Sequence, residues 1–280
     1  MKKTLALLLC LFLSLSLFAC SKQQEEEETE AVTVKIGVVG EYNDYWTPVI
    51  EQFAEEGVTI ELVKFSEYSL PNAALSDGDI DINAFQHYAY LNKEISEAGY
   101  DLSVLCETIV APLGLYSEKI TDVSEFQEGD TIAIPSDATN GGRALKLLEA
   151  AGLITVDPAV GYLGVKSDIT SNPLNLDIVE VDASLTASLL PDVAAAVING
   201  GVAISAGLHK TDELIYVESI DPVANPNVAN LINVMVVRTE DIDNELYNRI
   251  AEAFRSDAVA EVIHEQYPGV IIPAWEISVK

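Results

Sequence analysis

Four short stretches of this chain hold side chains whose types and spacing suit small-molecule chemistry. In Asn140-Gly141-Gly142-Arg143, which follows Ile134-Pro135-Ser136-Asp137-Ala138-Thr139, the spacing predicts a helix start whose free N–H groups and two glycines would admit an anion. Arg143, read as lying in that first turn, opposes the helix dipole by roughly 0.3–1 kcal/mol unless an anion is near. Its partner is then either a ligand carboxylate or one of the chain's own Asp and Glu side chains. Phe85-Gln86-His87-Tyr88-Ala89-Tyr90 gathers aromatics and a histidine just past a strand end, with Tyr68 on the preceding loop. Flat rings can enclose a short apolar side chain with little loss of entropy, whereas a lone histidine beside aromatics, as His87 is, is more often structural than catalytic. Asn199 and Asn233, each at or just before a buried strand, offer donors and acceptors to an amino acid's ammonium and carboxylate, or cap a turn.

Other chemistries find little support. No serine sits in a Gly-x-Ser-x-Gly elbow, and the glycine pair lacks the Gly-Lys-Ser/Thr ending that a nucleotide phosphate needs. His87, His209 and His264 have no metal-ligand spacing, so no metal, cofactor or catalytic residue is assigned. With 45 Asp and Glu residues a chance acid pair is inevitable and carries no weight as a glycosidase signal. Cys106 lies in an apolar stretch and reads as a buried, inert thiol.

These residues must be positioned by alternating strands and helices. Strands are expected at 32–39, 59–63, 81–85, 102–108, 131–135, 177–181, 194–198 and near 232–238. Helices are expected at 71–75, 88–98, 140–151, 243–254 and 257–266, with one more between Thr47, read as its cap, and the stop at Gly57. The caps expected for the last two helices are Asp241 or Asp243, and Ser256. Such alternation implies a largely parallel sheet covered on both faces. The pattern restarts after Gly114, and each half carries a helix, an acidic turn and an apolar strand with polar residues at its carboxyl end, where open α/β sheets bind ligands. Two facing lobes result, with the C-terminal segment returning to the first.

Lys2 and Lys3 precede an apolar run from Leu5 to Phe18, then Ala19-Cys20 and an acidic stretch to Glu30. The run falls short of the roughly 20 residues needed to span a bilayer. This order predicts a secretory signal over 1–19, acylation of Cys20 and a solvated tether over 20–31. The formal net charge is −30, and loss of Lys2 and Lys3 with the leader takes it to −32. So acidic a chain is repelled by nucleic acid and anionic headgroups, which leaves an acyl chain as the expected link to a membrane.

Ile36-Gly37-Val38, Phe65-Ser66-Glu67-Tyr68, Asp81-Ile82-Asn83-Ala84-Phe85-Gln86-His87, Gly114-Leu115-Tyr116-Ser117, Ile132-Ala133-Ile134-Pro135, Thr139-Asn140-Gly141-Gly142-Arg143-Ala144-Leu145, Ala196-Val197-Ile198-Asn199-Gly200 and Asn233-Val234-Met235-Val236-Val237-Arg238, in this order, resemble the NlpA family of lipoproteins. The resemblance implies an α/β, two-lobed periplasmic-binding-protein fold of the second type, with lobes joined by two crossovers. Lobe 1 would comprise 32–112 plus 230–280, and lobe 2 would comprise 113–229. It implies a non-enzymatic, monomeric receptor that delivers L-methionine to the permease and ATPase of an ABC importer. Tyr68, Phe85, His87 and Tyr90 resemble the side-chain pocket, Arg143 the carboxylate clamp, and Asn199 and Asn233 the polar contacts. Ala89 and Ala138 stand where the family usually has proline, Leu113 where methionine is common, and Gly201 where Asn or Thr is usual. D-methionine, a methionine dipeptide or another small apolar amino acid is the rival ligand. A secreted enzyme or a surface antigen is the rival class.

Overall fold

A computed structural model of the chain describes residues 32–210 and 213–277. The expected leader and tether, with Cys20, lie outside the described residues. The first half opens with β1 (Val32–Val39), α1 (Thr47–Glu55), β2 (Val58–Phe65), α2 (Pro71–Asp77), β3 (Ile82–His87), α3 (Tyr88–Ala98) and β4 (Leu102–Val110). The second half follows with β5 (Gly114–Tyr116), β6 (Thr131–Pro135), α4 (Ala138–Ala150), β7 (Thr155–Val156), β8 (Ile169–Ser171), β9 (Asp177–Val181), β10 (Ala195–Ile198), α5 (Gly200–Ser205) and β11 (Leu214–Val217). The chain then returns through β12 (Ile232–Arg238), α6 (Glu245–Phe254), α7 (Asp257–Gln266) and β13 (Ile272–Pro273).

One sheet has the order β13-β4-β12-β3-β1-β2 and the other β11-β5-β10-β6-β9, with β7 and β8 as a separate pair. The chain passes from the first sheet to the second after Val110 and back after Val217, giving two crossovers. Each half has its own apolar core. Ile36, Val38, Trp46, Phe53, Phe254 and Ile263 build the first, and Leu115, Ile132, Ile134, Leu145, Leu148 and Val197 the second. The two cores are joined by two strands of chain, and Ile204 of α5 is the second-half residue that packs into the first core.

The expectation of largely parallel sheets is corrected. Parallel pairing holds for β2, β1 and β3 and for β9, β6 and β10, but β12 runs antiparallel to β3 and β4, and β5 antiparallel to β10 and β11. The cause is the crossovers. A βαβ unit places β3 and β4 in the same direction with a strand-wide gap between them, and β12, arriving from the other half, fills that gap in the opposite sense.

Several helix starts also move. A 3-10 turn, Asp44–Trp46, runs directly into α1, so Thr47 already has helical angles (φ −52°, ψ −47°) and is not the cap. Asn244 rather than Asp241 or Asp243 caps α6, its side chain accepting from Leu246 N and Tyr247 N, while Ser256 caps α7 as expected. The most consequential shift is at α4. It starts at Ala138 with Asp137 as its cap, which places Arg143 in the second turn rather than the first.

Candidate functional site

The carboxyl ends of the central strands and the start of α4 border a cavity of about 70 Å3. That is several times the 10–15 Å3 one water requires. Tyr68, Phe85, His87, Tyr90, Arg143, Asn199 and Asn233 all line it, although they come from both halves. Around it the halves already touch. His87 Nε2 lies 3.2 Å from Asn140 Oδ1, and Glu41 N donates to Ser205 Oγ at 3.4 Å.

The aromatic wall belongs to the first half. Tyr68 stacks on Phe85 with centroids 6.1 Å apart, and Tyr90 meets Phe85, Tyr68 and His87 edge-on at 6.0–6.3 Å. Such spacing leaves the ring faces and edges as an apolar surface for a flexible chain or a polarizable sulfur. Tyr88, the second aromatic of the stretch, does not line the cavity and donates to Glu107 Oε1 at 3.4 Å. β12 adds Asn233 beside the wall, paired in register with His87, and its Nδ2 donates to Phe85 O at 3.5 Å.

His87 caps α3, its Nδ1 accepting from Tyr90 N at 3.1 Å. The ring proton therefore sits on Nε2 and is donated to Asn140 Oδ1. Burial, and next the Arg143 guanidinium, push its pKa down to about 3. The ring is neutral in the fold yet titrates near 6.5 when unfolded, so its stabilising effect is complete above pH 6.5. It is lost as pH falls from there toward 3, by about 1.4 kcal/mol per pH unit. Denaturant unfolding at pH 7, 6 and 5 is expected to show this extra slope in the parent and not in His87→Gln. Equal slopes would place the ring's titration near its ordinary value.

The expected anion site at the start of α4 is corrected. Asp137 Oδ1 accepts from Asn140 N at 2.9 Å, and both Asp137 oxygens accept from Asn140 Nδ2, so an internal carboxylate fills the helix start. The glycines serve close packing instead of ligand approach. A Cβ on Gly142 would lie 2.1 Å from Tyr162 O, and one on Gly141 2.9 Å from Pro135 O, both backbone atoms.

Arg143 is buried and already ion-paired. Its Nε donates to Glu218 Oε1 at 3.2 Å and its Nη2 to Glu218 Oε2 at 2.5 Å, while Nη1 turns to Asn140 Oδ1 at 3.1 Å. Nη2 also reaches Ala111 O at 3.3 Å, and Glu218 Oε2 accepts from Leu113 N at 3.1 Å. The guanidinium is thereby fastened to both crossovers. Of the two partners open for Arg143, an acidic side chain of the chain itself takes the Nε–Nη2 edge, and Nη1 is held by Asn140, which lines the cavity with it. Sequence reading missed Glu218, a single acid after a short strand among 45 acids, because nothing in its neighbourhood marks it. Asn140, quoted within its motif but not assigned a role, gathers His87, Arg143 and Asn199 on one oxygen.

Asn199 follows β10 and donates from Nδ2 to Asn140 Oδ1 at 3.0 Å, while its buried Oδ1 has no hydrogen-bond partner among the described residues. An unpaired buried acceptor costs about 1–3 kcal/mol, and an arriving cationic donor would relieve it. Gly201, in the next turn, faces the cavity, and a Cβ there would meet no atom within 4 Å.

The site holds no nucleophile hydrogen-bonded to a base, and among the described residues no group of three or more His, Cys, Asp or Glu side chains could hold a metal. The Cys106 thiol lies apart, against Ala251 O, and burial pushes its pKa up to about 12. A cavity lined by apolar rings and fixed polar groups has the features of a binding site.

Two α/β halves joined by two crossovers, with a cavity at the strand ends between them, define the fold of the periplasmic binding proteins. Within that class the chain belongs to the NlpA lipoprotein family, whose pattern matches residues 34–275. It is 37% identical over 246 residues to the D-methionine-binding lipoprotein MetQ of Escherichia coli strain K12, covering 86% of this chain and 88% of the relative. The structure of a nutrient binding protein from Burkholderia cenocepacia bound to methionine superposes with a TM-score of 0.80 at 33% identity, covering 86% of this chain and 99% of that one. The substrate binding protein of a methionine transporter from Streptococcus pneumoniae gives 0.80 at 35% identity, covering 87% and 96%.

Proposed function

We propose that this protein is an extracytoplasmic, lipid-anchored receptor that binds methionine in the cavity and delivers it to the permease and ATPase of an ABC importer. The observation that carries this reading is the pairing of an aromatic wall with an unpartnered Asn199 Oδ1 around one cavity. A thioether side chain against Tyr68, Phe85 and Tyr90 contributes roughly 25 cal/mol per Å2 removed from water, with sulfur–ring contacts in addition. Asn199 Oδ1 would take an ammonium proton, and Arg143 Nη1 and Asn233 would meet the carboxylate as charge-assisted or amide donors. The hinge divides the chain into 32–112 with 230–280, and 113–229, and the receptor acts as a monomer.

The test is isothermal titration of L-methionine, D-methionine, other apolar amino acids and methionine dipeptides against protein stripped of ligand by unfolding and refolding. Both enantiomers belong in the panel because relatives carry a D-methionine name. Methionine in either configuration is expected to bind, and to be recovered chemically intact after prolonged incubation. A modified product would move the protein to the enzymes. The dipeptides follow from Gly201, which lines the cavity with no atom within 4 Å of where a Cβ would stand. Binding of a dipeptide but not of the free amino acid would establish that longer ligand.

Anchoring is tested separately. Cys20→Ser is expected to release the protein from the membrane fraction of cells while leaving its affinity for methionine unchanged, since the proposed tether precedes β1. A membrane-bound Cys20→Ser variant would show that the acyl chain is not the link.

A further inference from the structure

We infer that Asn140 is a positioning residue that holds the cavity's polar donors in place for a ligand carboxylate. The inference rests on the reading that an amino acid binds in this cavity. Asn140 is buried, and its Nδ2 is held by both oxygens of Asp137, which fixes Oδ1 toward the cavity. Three donors converge on that oxygen: His87 Nε2 at 3.2 Å, Arg143 Nη1 at 3.1 Å and Asn199 Nδ2 at 3.0 Å. A carbonyl oxygen has two lone pairs, so three donors cannot all be served well at once.

This oversubscription has a function when a carboxylate arrives. One of the donors on the second half, Arg143 or Asn199, can pass from Asn140 Oδ1 to a ligand oxygen without leaving Asn140 unsatisfied. His87, from the first half, reaches Asn140 Oδ1 only when the halves are together, so on closure it takes the place of the donor that turns to the ligand. Asn140 Oδ1 thus acts as an internal stand-in for the ligand's carboxylate. It keeps the donors turned inward before binding and releases one on binding, which is preorganisation of the polar end of the site. A side chain at this place that served only to cap α4 would need no contact with His87 or Asn199.

The experiment measures the affinities of L-methionine and of L-methioninamide, which lacks the carboxylate, for the parent, Asn140→Asp and Asn140→Ala. The parent is expected to prefer methionine. Asn140→Asp puts a fixed negative charge where the ligand's own should act, and is expected to reduce that preference at least tenfold by losing methionine and keeping the amide. Asn140→Ala removes the stand-in without adding charge. It is expected to weaken methionine about tenfold and the amide less, and it decides the matter if the aspartate variant fails to fold beside Asp137. A purely structural role would weaken both ligands by the same factor in every variant that folds, and an unchanged ratio overturns the inference. A parent that binds neither compound would instead refute the methionine reading.

Discussion

Arg143→Ala is expected to lose methionine binding by thirtyfold or more and to melt markedly lower than the parent, two effects with separate causes. The thermal effect arises from Glu218, which is left buried with its carboxylate facing no cation. Removing one partner of a buried pair costs about 3–5 kcal/mol, and at about 2–4 °C per kcal/mol for a domain of this size the melting temperature falls by roughly 6–20 °C. The binding effect arises from the loss of Nη1 as a charged donor to the ligand, on the order of 2–5 kcal/mol. Arg143→Met with Glu218→Leu separates the two. Replacing both charges by apolar side chains of similar size is close to neutral for stability, so calorimetry is expected to show most of the melting temperature restored while titration shows binding still lost. A double variant that recovers binding together with stability would reduce Arg143 to a structural cation.

Saturating methionine is expected to raise the melting temperature of the stripped parent by roughly 8–16 °C and to compact it. A ligand present at a thousand times its dissociation constant stabilises by about 4.1 kcal/mol, and the same size-dependent conversion gives the shift in temperature. Compaction follows from where the contacts lie. Tyr68, Phe85 and Tyr90 belong to the first half and Arg143 and Asn199 to the second, so a ligand that touches both sets binds only when the halves are together. Small-angle scattering is expected to show a smaller radius of gyration with methionine than without. Stabilisation with no compaction would mean that the empty protein is already closed, through the His87–Asn140 contact or otherwise, and that ligand enters by another motion.

Much of this protein was legible in local chemistry. β1, α3, β6, β9 and β12 have the bounds their residues predict, because apolar β-branched runs and helix stops at glycine are signals carried by neighbours in sequence. The aromatic wall was equally readable, since Phe85, His87 and Tyr90 sit within six residues at one strand end. The resemblance to the family reached further still, bringing Asn199 and Asn233 to the same cavity as Tyr68 although 165 positions of chain separate the outermost pair.

Tertiary structure alone decided the electrostatics and the sheet directions. Glu218 lies 75 residues from Arg143, and only the two crossovers bring it to the guanidinium. With 45 acids available, no local pattern distinguishes the one that is buried from those that are solvated. The antiparallel β12 was hidden for the same reason, since strand direction depends on which gap the returning chain enters and not on its own residues. Asn140 shows the boundary within one motif. Its place near a helix start was written in its neighbours, but the convergence of His87 and Asn199 on its side chain required both halves to fold and meet, because hydrogen bonds between distant segments have no periodicity for a sequence to display.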